Sequence, residues 1–175
     1  GKTAVYLSYI SLLIERDASA QVLLLVPEIG LTPQLAKTLE STLPPKSIAI
    51  LHSGLADNLR AAVWSAASRG ELRLIVGTRS AIFVPMPHLA AIIVDEEHDA
   101  SYKQWESVRY QARDLAVWRA QQRQSHRQLR HMRRQRSDVL PLVHHRCSCE
   151  CVHDAASCIC MDRAFKSHFN LVFLF

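Results

Sequence analysis

The 175-residue sequence predicts an α/β domain, a mostly parallel sheet covered by helices. Short apolar runs of strand length alternate with longer segments of helical periodicity through the first 120 residues. Those runs are apolar almost without interruption, as strands buried on both faces are. Polar residues gather just after each run, at the edge where open parallel sheets bind their ligands.

Residues 3–16 read as a helix, with Val5, Leu7, Ile10, Leu13 and Ile14 spaced among polar positions. QVLLLVP, residues 21–27, reads as a strand closed by proline. A helix begins near Thr32, and SIAIL, residues 47–51, is the second strand. Residues 56–69 suit a helix stopped by Gly70. LRLIVGT (72–78) and AAIIVDE (90–96) complete the strands, and no internal repeat is present. Glu28, His52, Thr78 with Arg79, and Asp95 to His98 follow the four strands in turn. Together they outline one edge of a site.

The formal charge of +5 is unevenly spread. Residues 1–120 hold 12 Lys/Arg and 12 Asp/Glu, whereas residues 121–175 hold 9 and 4, with 6 of the 9 His, all 5 Cys and no Gly. A boundary near 120 therefore separates a first part of balanced charge from a basic, Cys/His-rich tail. No apolar run approaches the roughly 18 to 20 residues that cross a bilayer, so no membrane partner is expected. The start, GKTAVYLSYI, has neither Met nor a secretory layout and reads as cut from something longer.

GKT, at positions 1–3, matches the end of a phosphate-binding loop, in which Lys reaches the β/γ-phosphates and Ser/Thr ligates Mg²⁺. Alone it also suits an ordinary helix start. Its counterpart is Asp95–Glu96 at the end of an apolar strand. A nucleotide-hydrolysing site needs one carboxylate for the metal and another to orient or deprotonate water. The bland alternative is a solvated acidic turn, which suits Glu97 and Asp99 better.

GKTAVYL, VPEIGLTPQ (26–34), LHSGL (51–55), GTRSAIFVP (77–85), DEEHDASYKQ (95–104) and RYQARDLAVWRA (109–120) occur in one order and spacing. The sequence thereby resembles the PriA family of primosomal replication-restart helicases, within superfamily 2, over about residues 1–120. The related RecG family is the runner-up, but its acidic motif typically reads DEQH. The resemblance implies a RecA-like first motor lobe of an ATP-dependent 3′-to-5′ DNA helicase in the bacterial cytoplasm. Lys2 and Thr3 would bind the triphosphate and Mg²⁺, with Gly1 allowing close approach. Asp95 would hold the metal, Glu96 would activate water, and His98 would link the nucleotide state to DNA. Implied partners are forked or single-stranded DNA, primosome proteins, single-strand-binding protein and the replicative helicase loader.

VPEIGLTPQ and GTRSA would lie along the single-stranded DNA path, with Thr78, Arg79 and Ser80 contacting phosphates. Tyr102, Lys103, Gln104, Trp105, Arg109 and Tyr110 mix aromatic faces, cations and an amide. Aromatic rings stack on bases and cations follow the backbone. By resemblance this is an aromatic-rich loop that couples DNA contact to hydrolysis. Trp105 and Tyr110 could instead pack on the neighbouring helix. The family commonly has Glu-Gly before an aromatic where this chain has Glu106-Ser107-Val108, which leaves the loop's path open.

After Ala120 the expected strand ending in a GSATPS-like motif does not come. Three readings compete for 121–175. The basic run Arg119 to Arg136 could bind phosphates or be a solvated charge run. Cys147, Cys149, Cys151, Cys158 and Cys160, with His144, His145 and His153, could hold zinc. The family's zinc sites use paired CxxC motifs in the other lobe, so no zinc ligand is identified here. The tail could also be out of frame and mostly disordered, with a helix continuing past Ala120, and this is the reading preferred. Without the second lobe, the preceding DNA-binding domain and half of the phosphate loop, near-inactivity is expected. The other class of function is a non-enzymatic nucleic-acid- or metal-binding polypeptide built on the tail.

Overall fold

The computed structural model describes residues 2–27, 33–44, 47–135 and 171–174. Helix α1 (Lys2–Arg16) leads into strand β1 (Gln21–Leu25), and α2 (Pro33–Thr42) into β2 (Ile48–Leu51). Helix α3 (Asp57–Ser68) precedes β3 (Leu74–Gly77), and a 3-10 helix (Arg79–Phe83) precedes β4 (Leu89–Val94). A shorter 3-10 turn (Ala100–Tyr102) opens a small antiparallel pair, β5 (Lys103–Gln104) with β6 (Tyr110–Gln111). Helix α4 (Ala112–Gln135) follows, and β7 (Leu171–Leu174) pairs antiparallel with β4.

The main sheet runs β2-β3-β1-β4-β7, and its first four strands are parallel. This is the predicted α/β fold class, with each strand shorter than its apolar run. The chain moves outward from β1 to β2, then back to β3. Right-handed crossovers therefore require α2 and α3 on opposite faces. They are so placed. Val22, Leu24, Val76 and Ile93 pack with Tyr6 and Ile10 of α1, Leu39 of α2 and Leu43 just after it. Leu23, Leu25, Ile75, Ile92 and Val94 face Ala67 of α3, the 3-10 residues Ala81 and Ile82, and Ala112, Ala116 and Ala120 of α4. Alternate residues of one strand feed the two cores, the reason the runs carry no polar alternation.

Gln21 is the exception inside an apolar run. Its buried amide donates to the carbonyls of Ala67 (3.0 Å) and Leu72 (2.8 Å), and its oxygen accepts from the His88 N–H (3.0 Å). It ties the lower ends of α3 and β4 to β1, far from the carboxyl edge.

Helix α4 continues through position 120, as a helix running past Ala120 requires. Arg119 and Arg123, one turn apart, grip the segment ahead of β4. Arg119 donates to the carbonyls of Ile82 (2.5 Å) and Val84 (2.6 Å), and Arg123 to those of Pro87 (2.9 Å) and Met86. Burial, then the nearby charge of Arg123, pushes the Arg119 pKa down to about 10, which leaves it charged at neutral pH. The first two cations of the basic run are thus engaged with backbone carbonyls, neither solvated freely nor directed outward as phosphate contacts. All five Cys, with His144, His145 and His153, lie outside the described residues. Among the described residues no helix is long and apolar enough to cross a membrane.

Candidate nucleotide and nucleic-acid site

The parallel register aligns Leu51, Gly77, Leu25 and Val94 in one row across the sheet. The next residues, His52, Thr78 and Asp95, therefore emerge in one row at the carboxyl edge, with Val26 between the last two, as the sequence predicts. Backbone bonds extend the ladder one step further, from Thr78 N to Leu51 O (3.3 Å), Val26 N to Gly77 O (3.0 Å) and Asp95 N to Leu25 O (2.9 Å). Glu28 and residues 29–32 of VPEIGLTPQ, and Gly1, lie outside the described residues; Lys2 and Thr3 are placed by the first turn of α1.

Asp95 and Glu96 stand just beyond β4, in a turn rather than in the strand. The Tyr6 hydroxyl donates to Asp95 Oδ1 at 2.5 Å. The Tyr102 hydroxyl donates to the Asp95 backbone carbonyl at 2.6 Å. Burial, and after it the hydrogen bond and charge of Asp95, raises the Tyr6 pKa far above its usual value; burial, then the Asp95 and Asp99 charges, does the same to Tyr102. Both phenols therefore remain protonated donors. Tyr6 carries no chemistry in the sequence reading, although its place one turn after Lys2 and Thr3 is a usable signal. Tyr102 corrects a prediction. It is fully buried, so its ring offers no face to a base.

Glu96 adopts φ 47°, in the left-handed region. A non-glycine residue there costs about 1 to 2 kcal/mol, and such strain gathers at functional sites. The conformation lets the Asp99 N–H reach the Glu96 carbonyl (2.8 Å) and turns the chain back toward Tyr102. His98 Nε2 lies 3.6 Å from Glu96 Oε2 on the exposed side of the turn. Asp99 accepts from Ser101 N at 2.7 Å; the Ser101 side-chain bond, and after it this backbone bond, hold its carboxyl below the usual range. Asp99 caps the 3-10 turn that follows it.

Among the described residues no group of three or more His, Cys, Asp or Glu could hold a metal ion. Mg²⁺ needs no such cluster, since one or two carboxylates and substrate phosphates hold it with water. The donor set expected here is one carboxylate, Asp95, and one hydroxyl, Thr3. Its oxygens fit that ion.

Beside the acidic turn, Thr78, Arg79, Ser80, Ser53, Ser101, Gln104 and Tyr110 line a cavity of about 330 Å³. Gly77 makes this wall possible. A Cβ there would meet Ala81 Cβ at 2.5 Å and Leu51 O at 3.0 Å, so the 3-10 helix can fold back on the strand only over a glycine. Arg79 donates to Ser101 O (3.3 Å), joining GTRSA to the segment after the acidic turn. The β5–β6 loop forms the opposite wall. Trp105 is 64% exposed, with Lys103 Nζ 3.7 Å above its ring, and Arg109 is exposed beside it. Tyr110 is half-buried and meets Phe83 edge-on at 4.9 Å. Thus Thr78, Arg79, Ser80, Gln104 and Tyr110 converge on one cavity, Lys103, Trp105 and Arg109 sit on its outer loop, and Tyr102 does not belong. Ser107 adopts φ 58°, so the serine holds the left-handed conformation that a glycine would adopt freely.

A family profile described as DEAD/DEAH box helicase matches residues 1–132. Over 121 residues the chain is 50% identical to the replication restart protein PriA of Haemophilus influenzae, covering 69% of this chain and 16% of that protein. The protein of that name from Bacillus subtilis is 44% identical over 121 residues, covering 69% and 15% respectively. That from Chlamydia pneumoniae is 46% identical over 120 residues, covering 68% and 16%. The chain spans about one sixth of the length of these relatives.

Proposed function

Because the chain belongs to the DEAD/DEAH box helicase family, we propose that it is the nucleotide- and DNA-contacting part of an ATP-driven, 3′-to-5′ DNA helicase of the replication-restart type. The observation that carries this reading is the shared edge. Asp95 and Glu96 follow β4 at the same carboxyl edge where Thr78, Arg79 and Ser80 line a cavity of about 330 Å³, and α1, which begins at Lys2, packs on the same sheet.

Lys2 binds the β/γ-phosphates, and Thr3 and Asp95 are the residues that hold Mg²⁺. When bound, Mg²⁺ neutralises charge on the triphosphate. Glu96 orients the attacking water and accepts its proton, and His98, paired with Glu96, reports on that carboxylate at the surface. Thr78, Arg79 and Ser80 take backbone phosphates, while Trp105 stacks on a base and Lys103 and Arg109 attract the strand. The Arg79–Ser101 bond is the physical route by which strand contact reaches the acidic turn.

Charge stabilisation in a closed site is worth about 10³ to 10⁵ in rate when an arginine finger supplies it. This chain alone is therefore nearly inactive in turnover but binds both ligands. DNA, primosome proteins, single-strand-binding protein and the helicase loader are the partners of the longer protein. The test is binding of a fluorescent ATP analogue with Mg²⁺ and of a labelled oligothymidylate. Trp105→Ala should weaken DNA binding roughly 5- to 100-fold, the worth of one stacked base, and leave nucleotide binding intact. Equal loss of both would sink the proposed division of the site.

A further inference from the structure

We propose that Asp95 is held by a two-tyrosine clamp, Tyr6 from one face of the sheet and Tyr102 from the other, and that the clamp sets the affinity of this carboxylate for a divalent cation. The inference rests on the function proposed above.

Tyr6 packs in the core shared with α2, whereas Tyr102 packs in the core shared with α3 and α4. The two phenols thus approach from opposite sides and end on the same residue, one on carboxylate Oδ1 and the other on the backbone carbonyl. The Tyr6 bond spans 89 positions of sequence and the Tyr102 bond seven. A tyrosine that merely needed a partner could take any carbonyl at the sheet edge. Here one bond fixes the carboxylate's rotation and the other fixes the backbone that carries it.

The anchors of the clamp matter as much as its jaws. Tyr6 lies four positions after Lys2 and three after Thr3 on the same helix, spacings that share one helix face. Tyr102 immediately precedes Lys103 and Gln104 of the β5 strand, on the cavity side. A shift of α1 on filling the phosphate site, or of β5 on engaging a strand, therefore acts directly on Asp95. Groups that orient a metal-binding side chain in this way typically change metal affinity about 10- to 100-fold when removed.

The experiment uses the 175-residue chain, the fluorescent nucleotide mant-ATP and a Mg²⁺ titration. Tyr6→Phe and Tyr102→Phe each delete one hydroxyl and keep the ring, and each reads the clamp from its own side. We expect either variant to raise the Mg²⁺ midpoint about 10-fold while nucleotide binding without metal stays near wild type, with a modest fall in melting temperature from the lost hydrogen bond. Unchanged midpoints in both variants, with normal wild-type binding, overturn the clamp and leave the proposed function standing. Equal loss of binding with and without Mg²⁺ also overturns it, because that is what a general packing defect does. Absence of Mg²⁺-dependent binding in the wild-type chain overturns both proposals.

Discussion

Replacing Gly77 with alanine adds one methyl group at the most crowded point of the carboxyl edge. Its carbon would lie 2.5 Å from Ala81 Cβ, 3.0 Å from Leu51 O and 3.2 Å from Leu51 Cβ. Carbon atoms pack best at about 3.5 to 4.0 Å, so the 3-10 helix must retreat by roughly 1 Å. Leu51 O is a backbone atom that also accepts from Thr78 N, and it cannot yield without loosening the β2–β3 ladder. Overpacking of this kind costs typically 1 to 3 kcal/mol; about 2 kcal/mol corresponds to a fall in Tm of roughly 4 to 8 °C for a domain of this size. The retreat also carries Thr78, Arg79 and Ser80 away from the cavity, so oligothymidylate affinity measured by anisotropy should fall with stability. Pairing Gly77→Ala with Ala81→Gly removes the worst contact and should restore most of both. A single variant that melts and binds like wild type would refute the close-approach argument, as would a double variant no better than the single.

Arg79→Ala should weaken single-stranded DNA binding and reduce the slope of log affinity against log salt by about 0.7, the release expected for one phosphate contact; an unchanged slope would assign Arg79 to structure alone. Ser107→Gly should raise stability by roughly 0.5 to 1 kcal/mol in urea, since glycine adopts the left-handed conformation without its steric cost. Gln21→Leu leaves the Leu72 carbonyl and the His88 N–H without their side-chain partner, while the Ala67 carbonyl keeps the Gly70 N–H. At about 1 to 3 kcal/mol for each stranded group, a loss of about 2 kcal/mol or more is expected in denaturant unfolding, with nucleotide and DNA affinities of the folded fraction unchanged.

The strands were legible because continuous apolar runs have few uses in a domain with helical neighbours. The edge was legible for the same reason: in parallel strands, whatever follows each run emerges on one side, and His52, Thr78 and Asp95 do. Strand ends were not legible, since an apolar residue such as Val26 stays buried whether or not it pairs. Tyr102 illustrates a different limit. Among Lys103, Trp105 and Arg109 it resembles a stacking residue, and only the turn after Glu96 drives it inward. That turn depends on a left-handed glutamate, a conformation with no signature in residue type. Tyr6 and Arg119 escaped for a related reason. Each bonds a partner far away in sequence, and a side chain that reaches across the fold looks, in the sequence, like any polar residue on a helix.

The hold of Arg119 and Arg123 on four carbonyls bears on how the domain can be dissected. A chain cut at position 120, where composition changes, would retain Arg119 but discard Arg123 and with it the clasp on Met86 and Pro87. Those two residues lead into β4, whose far end carries Asp95. The shortest piece suited to expression and crystallisation thus ends beyond 123, in the helix rather than at its compositional margin.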